Sequence, residues 1–206
     1  MIEELGLSCE IKRYQRDPKT MLAPAALRDI HPLGKSPVIT DGALTLAESG
    51  AIIEYLAERY GAGRLMPAAG TPERVRCSYW LHYAEGSAMP PLVMKLVFNR
   101  IKTAPASLFL KPIARGIADK VTRTYIDPQL KLHLDYLEGE LGAHEWFVGG
   151  AFSVADIQLS FPLEAFAARG GLSGDYPQLS AFLERIHARP AYQRALGRGG
   201  EYRLGG

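Results

Sequence analysis

Residues 31–60, HPLGKSPVITDGALTLAESGAIIEYLAERY, constrain the fold more than any other stretch of the chain. Ser36-Pro37 stands directly before an apolar run, where an X-Pro bond is readily cis and sets a tight turn. Val38-Ile39-Thr40 and Ala43-Leu44-Thr45-Leu46 carry the β-branched and apolar residues of two short strands. Asp41-Gly42 between them is the strongest short hairpin signal, because glycine supplies the positive φ that a two-residue turn requires. Glu48-Ser49 then opens a helix with Ser49 as its N-cap. Ile52, Ile53, Leu56 and Tyr60, with Tyr55, give that helix one apolar face.

This order of X-Pro turn, hairpin and Glu-Ser at a helix start resembles the glutathione-binding half of the glutathione S-transferase family. The resemblance continues into the C-terminal region. It implies a two-domain fold: an α/β thioredoxin-like domain over residues 1–62, incomplete at its start, followed by an all-α domain over residues 71–198. It also implies a function, the conjugation of reduced glutathione to small hydrophobic electrophiles or a related glutathione-dependent reaction, as in detoxification.

Glutathione is an extended peptide with two carboxylates, an ammonium and a thiol, so each end needs a different partner. The resemblance carries the glutathione contacts onto Lys35, Ser36, Pro37, Val38, Glu48 and Ser49. The strand edge at Val38, after the Ser36-Pro37 turn, pairs with the backbone of the cysteinyl portion by β-augmentation. The helix start at Ser49 offers unpaired N–H groups, a positive dipole end and a hydroxyl to the γ-glutamyl carboxylate. Glu48 faces the ammonium, and Lys35 meets the glycyl carboxylate as a point charge. The plain alternative is a helix cap at Ser49, a first-turn acid at Glu48 and a solvated lysine at Lys35. The ordered set favours a binding site over that alternative. Tyr83, Glu85 and Met89 lie on the helix that, by resemblance, lines the pocket for the second substrate.

The start of the chain departs from the family pattern. Residues 2–7 read as the last turn of a helix with Gly6 at C′, and residues 8–14 read as a strand with Cys9, Ile11 and Arg13 alternating. Family members begin with a strand, a loop and most of a helix before this point. The missing strand would be central in a four-strand sheet, and the residue that ionises the glutathione thiol would lie with it. A cysteine thiol has a pKa of about 8.5, so the reaction needs such a group. No catalytic residue is assigned here. A misassigned start codon is the favoured explanation, ahead of a compensated truncation or a decayed relative. The competing functional class is a non-catalytic module that binds glutathione, apolar ligands or a protein partner without turnover.

The second half reads as helical throughout. Thr71-Pro72-Glu73 supplies an N-cap with proline at the first helical position. Val75, Tyr79, His82, Tyr83 and Gly86 follow at helical spacing, and Pro90-Pro91 must kink or interrupt that helix. Residues 105–121 form a helical candidate broken at Pro112 and Gly116. Ile126, Leu130, Leu134, Leu137 and Leu141 are a clean apolar stripe. Ser153 with Asp156 makes a capping-box variant before a buried helix. Further helices are expected over residues 176–188 and 190–196, with a loose glycine-rich tail over 197–206.

Composition excludes several classes. With 24 Lys and Arg against 22 Asp and Glu and no basic block, nucleic acid and anionic membranes are not expected partners. No apolar run is long enough to span a bilayer and no signal-peptide pattern opens the chain. Cys9 and Cys77 are isolated, which argues against a disulfide framework, a metal site and a Cys-x-x-Cys oxidoreductase. Cys9 is expected to be a small core residue. A cytoplasmic protein with no metal and glutathione as co-substrate is the expectation. By resemblance, it is a homodimer.

Overall fold

The computed structural model describes residues 1–200 apart from 18, 19, 21, 106, 108, 169–171 and 173. Of the loose tail expected over residues 197–206, 201–206 lie outside the described residues and 197–199 are helical, which corrects that part of the expectation. Helix α1 (Ile2–Leu5) ends at Gly6, whose φ of 70° lets its N–H reach back to the carbonyls of the single turn. Leu5 is buried with Ile52 and Leu56 in a small cluster. Residues 8–14 are not a strand, which corrects the alternation-based expectation. A strand needs a hydrogen-bonded neighbour, and the described sheet contains two strands that pair with each other alone. This segment is held by arginines instead. Arg198 Nη2 donates to the Cys9 carbonyl at 2.8 Å, and Arg13 Nη2 donates to the Arg198 carbonyl at 2.7 Å.

Helix α2 (Ala25–Ile30) starts after Pro24 and stops where His31, ahead of Pro32, turns extended. The Ser36-Pro37 bond is cis. Strands β1 (Val38–Asp41) and β2 (Leu44–Ala47) pair antiparallel, with Val38 opposite Ala47 and Asp41 opposite Leu44. The turn is therefore Gly42-Ala43, one residue later than the sequence suggests, with Gly42 at φ 59°. Asp41 closes the strand and leaves the turn to glycine.

Helix α3 (Ser49–Tyr60) has two apolar faces. Ile52 and Leu56 pack under the hairpin side, whereas Ile53 and Ala57 enter the large core of the helical half. Burying both faces makes α3 the shared wall of the two halves.

The helical half comprises α4 (Pro72–Tyr83), α5 (Met89–Thr103), α6 (Leu110–Val121), α7 (Asp127–Ala143), α8 (Val154–Ala168), α9 (Pro177–His187) and α10 (Pro190–Gly199). Thr71 caps α4, accepting from the Arg74 N–H at 3.2 Å. The buried face of α4 is Cys77, Trp80, Leu81 and Tyr83; of the residues at helical spacing in the sequence Tyr83 is buried, whereas Val75 and Tyr79 are exposed. Two wide π-helical segments, at Ala84–Ala88 and Thr122–Ile126, join α4 to α5 and α6 to α7. Each precedes a proline near the next helix start, Pro90 or Pro128. A proline ring collides with the carbonyl four residues back, and widening the turn moves that carbonyl aside. Pro112 does not break α6, because it sits in the first turn where its missing N–H costs nothing. The Leu stripe of α7 is buried as its spacing predicts.

Trp80, Phe147, Phe166 and Phe182 are the largest fully buried side chains, so the main core is helical. The first and last helices are tied by ions: Glu4 receives a two-pronged bond from Arg189 at 2.6 and 2.9 Å, and Glu3 pairs with Arg194 and Arg198. Burial of Glu3 and Glu4 side chains to about six-sevenths makes these ties more than surface contacts. Cys9 is half-buried with its Sγ 3.4 Å from Arg198 Nη2, not in the core as expected. No described helix is long and apolar enough to cross a membrane.

Candidate functional site

The hairpin register builds the site. With Val38 opposite Ala47, the cis Ser36-Pro37 turn and the beginning of β1 lie beside Glu48 and Ser49 at the start of α3. The sheet is two-stranded, so the edge of β1 away from β2 carries backbone groups that no described strand pairs. Lys35, Ser36 and Pro37 are exposed on the approach to this edge, and Val38 is half-buried. Lys35 makes no ion pair among the described residues.

Glu48 holds φ 72° and ψ 118°, a backbone region that side-chain-bearing residues rarely occupy. Such a residue costs stability, and the conformation turns the chain sharply from β2 into α3. Glu48 itself is the N-cap, and its side chain, exposed to solvent, makes no capping bond. The first N–H groups of α3 are thus left without a side-chain cap. A Cβ at Gly50 would meet nothing within 4 Å, so the helix start opens on free space. An uncapped, accessible helix N-terminus attracts anions.

Ser49 is the first helical residue rather than the N-cap expected from sequence, because the helix starts one place earlier, with Glu48 at the N-cap position. Its hydroxyl does not cap α3. Ser49 Oγ accepts from Gln158 Nε2 at 2.8 Å and lies 3.3 Å from Glu85 Oε1, to which it donates. Gln158 Nε2 also donates to Glu85 Oε1 at 2.6 Å. Glu85 comes from the π-helical segment after α4, and Gln158 from α8, where it is 4% exposed. The structure therefore brings Glu85 to Ser49. Tyr83 points the other way: it is buried, and its hydroxyl is 2.6 Å from His133 Nδ1. Burial pushes its phenol pKa up. Met89 packs partly buried against the main core.

The far end of the hairpin is anchored as well. Tyr55 donates to Asp41 Oδ2 at 2.8 Å, and Tyr60 donates to the same oxygen. Tyr60 and then Tyr55 hold the Asp41 carboxyl below its usual range, and the carboxylate pushes Tyr55 up to about 12. These bonds clamp the β-turn to α3, fixing the hairpin against the helix whose other end is Ser49. Neither the clamp nor Gln158 was visible in the sequence. In the sequence Asp41 reads as a turn residue and the tyrosines as apolar packing, and nothing marks a lone glutamine in a helix.

Thiol chemistry has no evident home beside β1. Cys77 is fully buried in α4, and burial pushes its thiol up to about 11. Cys9 lies against Arg198 of α10. No group of three or more His, Cys, Asp or Glu able to hold a metal occurs among the described residues.

Two family models match the chain: the glutathione S-transferase N-terminal domain over residues 1–59 and the glutathione S-transferase C-terminal domain over residues 102–190. Glutathione S-transferase 1 of Saccharomyces cerevisiae is 33% identical over 211 aligned positions, covering 96% of this chain and 90% of the yeast protein. A solved glutathione S-transferase from Actinobacillus pleuropneumoniae superimposes with a TM-score of 0.75 at 33% identity, covering 98% of this chain and 87% of that one. A sphingomonad glutathione S-transferase solved in complex with glutathione gives 0.72 at 29% identity, over 98% and 92% of the two chains. The two-domain architecture, with a small antiparallel hairpin and helices followed by a mostly helical half, is the one these relatives share. This chain belongs to the glutathione S-transferase family.

Proposed function

We propose that this protein binds reduced glutathione along β1 and at the start of α3, and conjugates it to small apolar electrophiles or carries out a related glutathione-dependent reaction. One observation carries the reading: the hairpin register sets the cis Ser36-Pro37 turn and the unpaired edge of β1 beside the uncapped N-terminus of α3. In that frame the Val38 backbone pairs with the cysteinyl unit. Ser49 and the free N–H groups of α3 take the γ-glutamyl carboxylate, Glu48 the ammonium, and Lys35 the glycyl carboxylate. Ser36 and Pro37 shape the turn that presents the edge. The second substrate meets the wall formed by Glu85 and Met89, with Tyr83 backing it from the core. The sphingomonad relative solved with glutathione bound supports the choice of ligand.

A homodimer is part of this reading. Val93, Val97 and Ile101 of α5 and Leu110, Ile113 and Ile117 of α6 are exposed at helical spacing on two helices that pack together. Sedimentation showing monomer alone at micromolar concentration would remove the dimer.

Binding without turnover is the second reading. It is favoured by the position of the two cysteines, neither of which is placed to act at β1. Calorimetric titration with reduced glutathione, followed by a turnover assay with an aromatic halide, decides between the two. Binding with turnover supports the transferase. Binding without it supports the second reading, and no binding by the folded protein rejects both.

A further inference from the structure

We propose that Gln158 is a positioning residue of the glutathione site, holding the Ser49 hydroxyl so that its proton is free for the incoming carboxylate. This rests on the reading above, in which Ser49 receives the γ-glutamyl carboxylate. Three distances define the cluster. The Gln158 amide has two protons, and both are used: one on Ser49 Oγ at 2.8 Å, the other on Glu85 Oε1 at 2.6 Å. The remaining contact, from the Ser49 hydroxyl to Glu85, is 3.3 Å, near the outer limit of a useful bond. Gln158 therefore dominates the cluster, and the Ser49 proton is the loosest part of it.

The orientation of the amide follows from electrostatics. Flipping it would set the Gln158 carbonyl oxygen against the Glu85 carboxylate at the same short distance, two acceptors facing each other. With Nε2 toward Glu85, the contact is charge-assisted and among the stronger neutral-to-ion bonds. Ser49 Oγ thus has one lone pair occupied by a fixed donor, and its O–H remains free to rotate from Glu85 to a carboxylate arriving at the start of α3. A serine without that fixed donor would be free to turn its hydroxyl onto other acceptors nearby.

The amide can act as a fixed donor because its helix is immobilised. Gln158 is 4% exposed. The α8 start one turn away is held by Asp156, which accepts from the Phe147 N–H at 2.9 Å and from the Ser153 N–H at 2.8 Å. The Val154 N–H donates to the Leu65 carbonyl at 2.8 Å, tying α8 to the segment that joins the two halves. Ser49 belongs to the first half and Gln158 to the second, so ligand affinity at α3 depends on how the helical half is docked.

A thermodynamic cycle tests this. Glutathione affinity is measured by calorimetry for the unmodified protein, Ser49→Ala, Gln158→Leu, Gln158→Asn and the Ser49→Ala/Gln158→Leu double variant, with ligand-free thermal unfolding of each. Gln158→Leu is expected to raise the Kd about 5- to 10-fold, the loss of one well-placed hydrogen bond. Gln158→Asn, which withdraws the amide by one methylene, is expected to move it the same way by less. The double variant should bind no more weakly than Ser49→Ala, because the amide acts through the hydroxyl. In a turnover assay the change should appear in KM for glutathione with kcat retained. A lowered melting temperature with unchanged Kd, or losses that multiply in the double variant, would show a plain interface contact and overturn the proposal. If Gln158→Leu does not fold, Gln158→Asn decides by the same criteria. Binding by the unmodified protein that Ser49→Ala weakens and both Gln158 variants leave intact overturns this inference alone. No binding by the unmodified protein removes the glutathione reading and this inference together.

Discussion

Two helix starts in this protein pair a serine with a nearby acid, Glu48-Ser49 before α3 and Ser153 with Asp156 before α8, and the structure uses them in opposite ways. At α8 every nearby donor is satisfied. Asp156 accepts from the N–H groups of Phe147 and Ser153 and from the Ser153 hydroxyl at 3.0 Å, while Ser153 Oγ accepts from the Ala155 N–H at 3.3 Å. Asp156 is fully buried, and burial pushes its carboxyl up to about 6 despite those donors, so at neutral pH it is a carboxylate. At α3 no side chain caps the helix, Glu48 is exposed in a strained conformation, and the Ser49 hydroxyl is turned to a partner in the other half. A closed helix start stabilises the fold. An open one, held open by a neighbouring domain, leaves donors for a ligand.

The sharpest break in this contrast is Asp156→Ala. Each buried donor left without an acceptor costs about 1–3 kcal/mol, and three lose theirs, so denaturant unfolding should show a loss of about 3 kcal/mol or more. The corresponding change at the open start, Ser49→Ala, should leave unfolding within about 1 kcal/mol of the parent while weakening glutathione about 10-fold by calorimetry, the worth of one hydrogen bond to a charged group. Equal stability losses at the two positions would erase the distinction.

Glu48→Gly should separate strain from binding. Glycine tolerates the positive φ at this position, so the variant is expected to gain about 1 kcal/mol in chemical denaturation. Its affinity for glutathione should fall, since the carboxylate proposed to face the ammonium is gone. A variant that is less stable than the parent would show that the turn carries no strain to relieve.

The smallest effect is in the pH dependence, and its sign differs between the halves. Tyr60 and Tyr55 depress the Asp41 carboxyl below its usual 3.8, so its contribution is present above that value and is lost as pH falls through the folded value. Asp156 is raised from 3.8 to about 6, so its contribution is complete below 3.8 and is lost as pH rises through about 6. Between about pH 4 and 6, Asp156 therefore lowers stability with rising pH. Asp156→Asn should flatten that slope in unfolding measurements, and Asp41→Asn should flatten the slope below it.

Much of this architecture was legible before any coordinates. Turn chemistry is local, so Ser36-Pro37, Thr71-Pro72 and the Ser153–Asp156 box stand where their residues put them, and the hairpin forms with its turn one residue later than expected. The Leu stripe of α7 is legible for the same reason, since a helix that buries one face repeats it every turn. Residues 8–14 failed because alternation describes a half-buried strand yet supplies no partner for its backbone. The π-helical segment before α5 is signalled by Pro90-Pro91, the expected kink or interruption, whereas Pro128 after the second segment stands alone and gives no such sign. At the site, Lys35, Ser36, Pro37, Val38, Glu48 and Ser49 could be named from their order, whereas Gln158 and the tyrosine clamp on Asp41 could not.

The sequence by itself determined the local elements: the X-Pro turn, the hairpin and the run of amphipathic helices, because each depends on backbone preferences within a few residues. Only the tertiary structure decided what faces Ser49, which side of α4 is buried and what holds residues 8–14. Those outcomes join residues from 36 to 189 positions apart. Such contacts form when packing brings separate helices together, and no spacing rule along the chain encodes them.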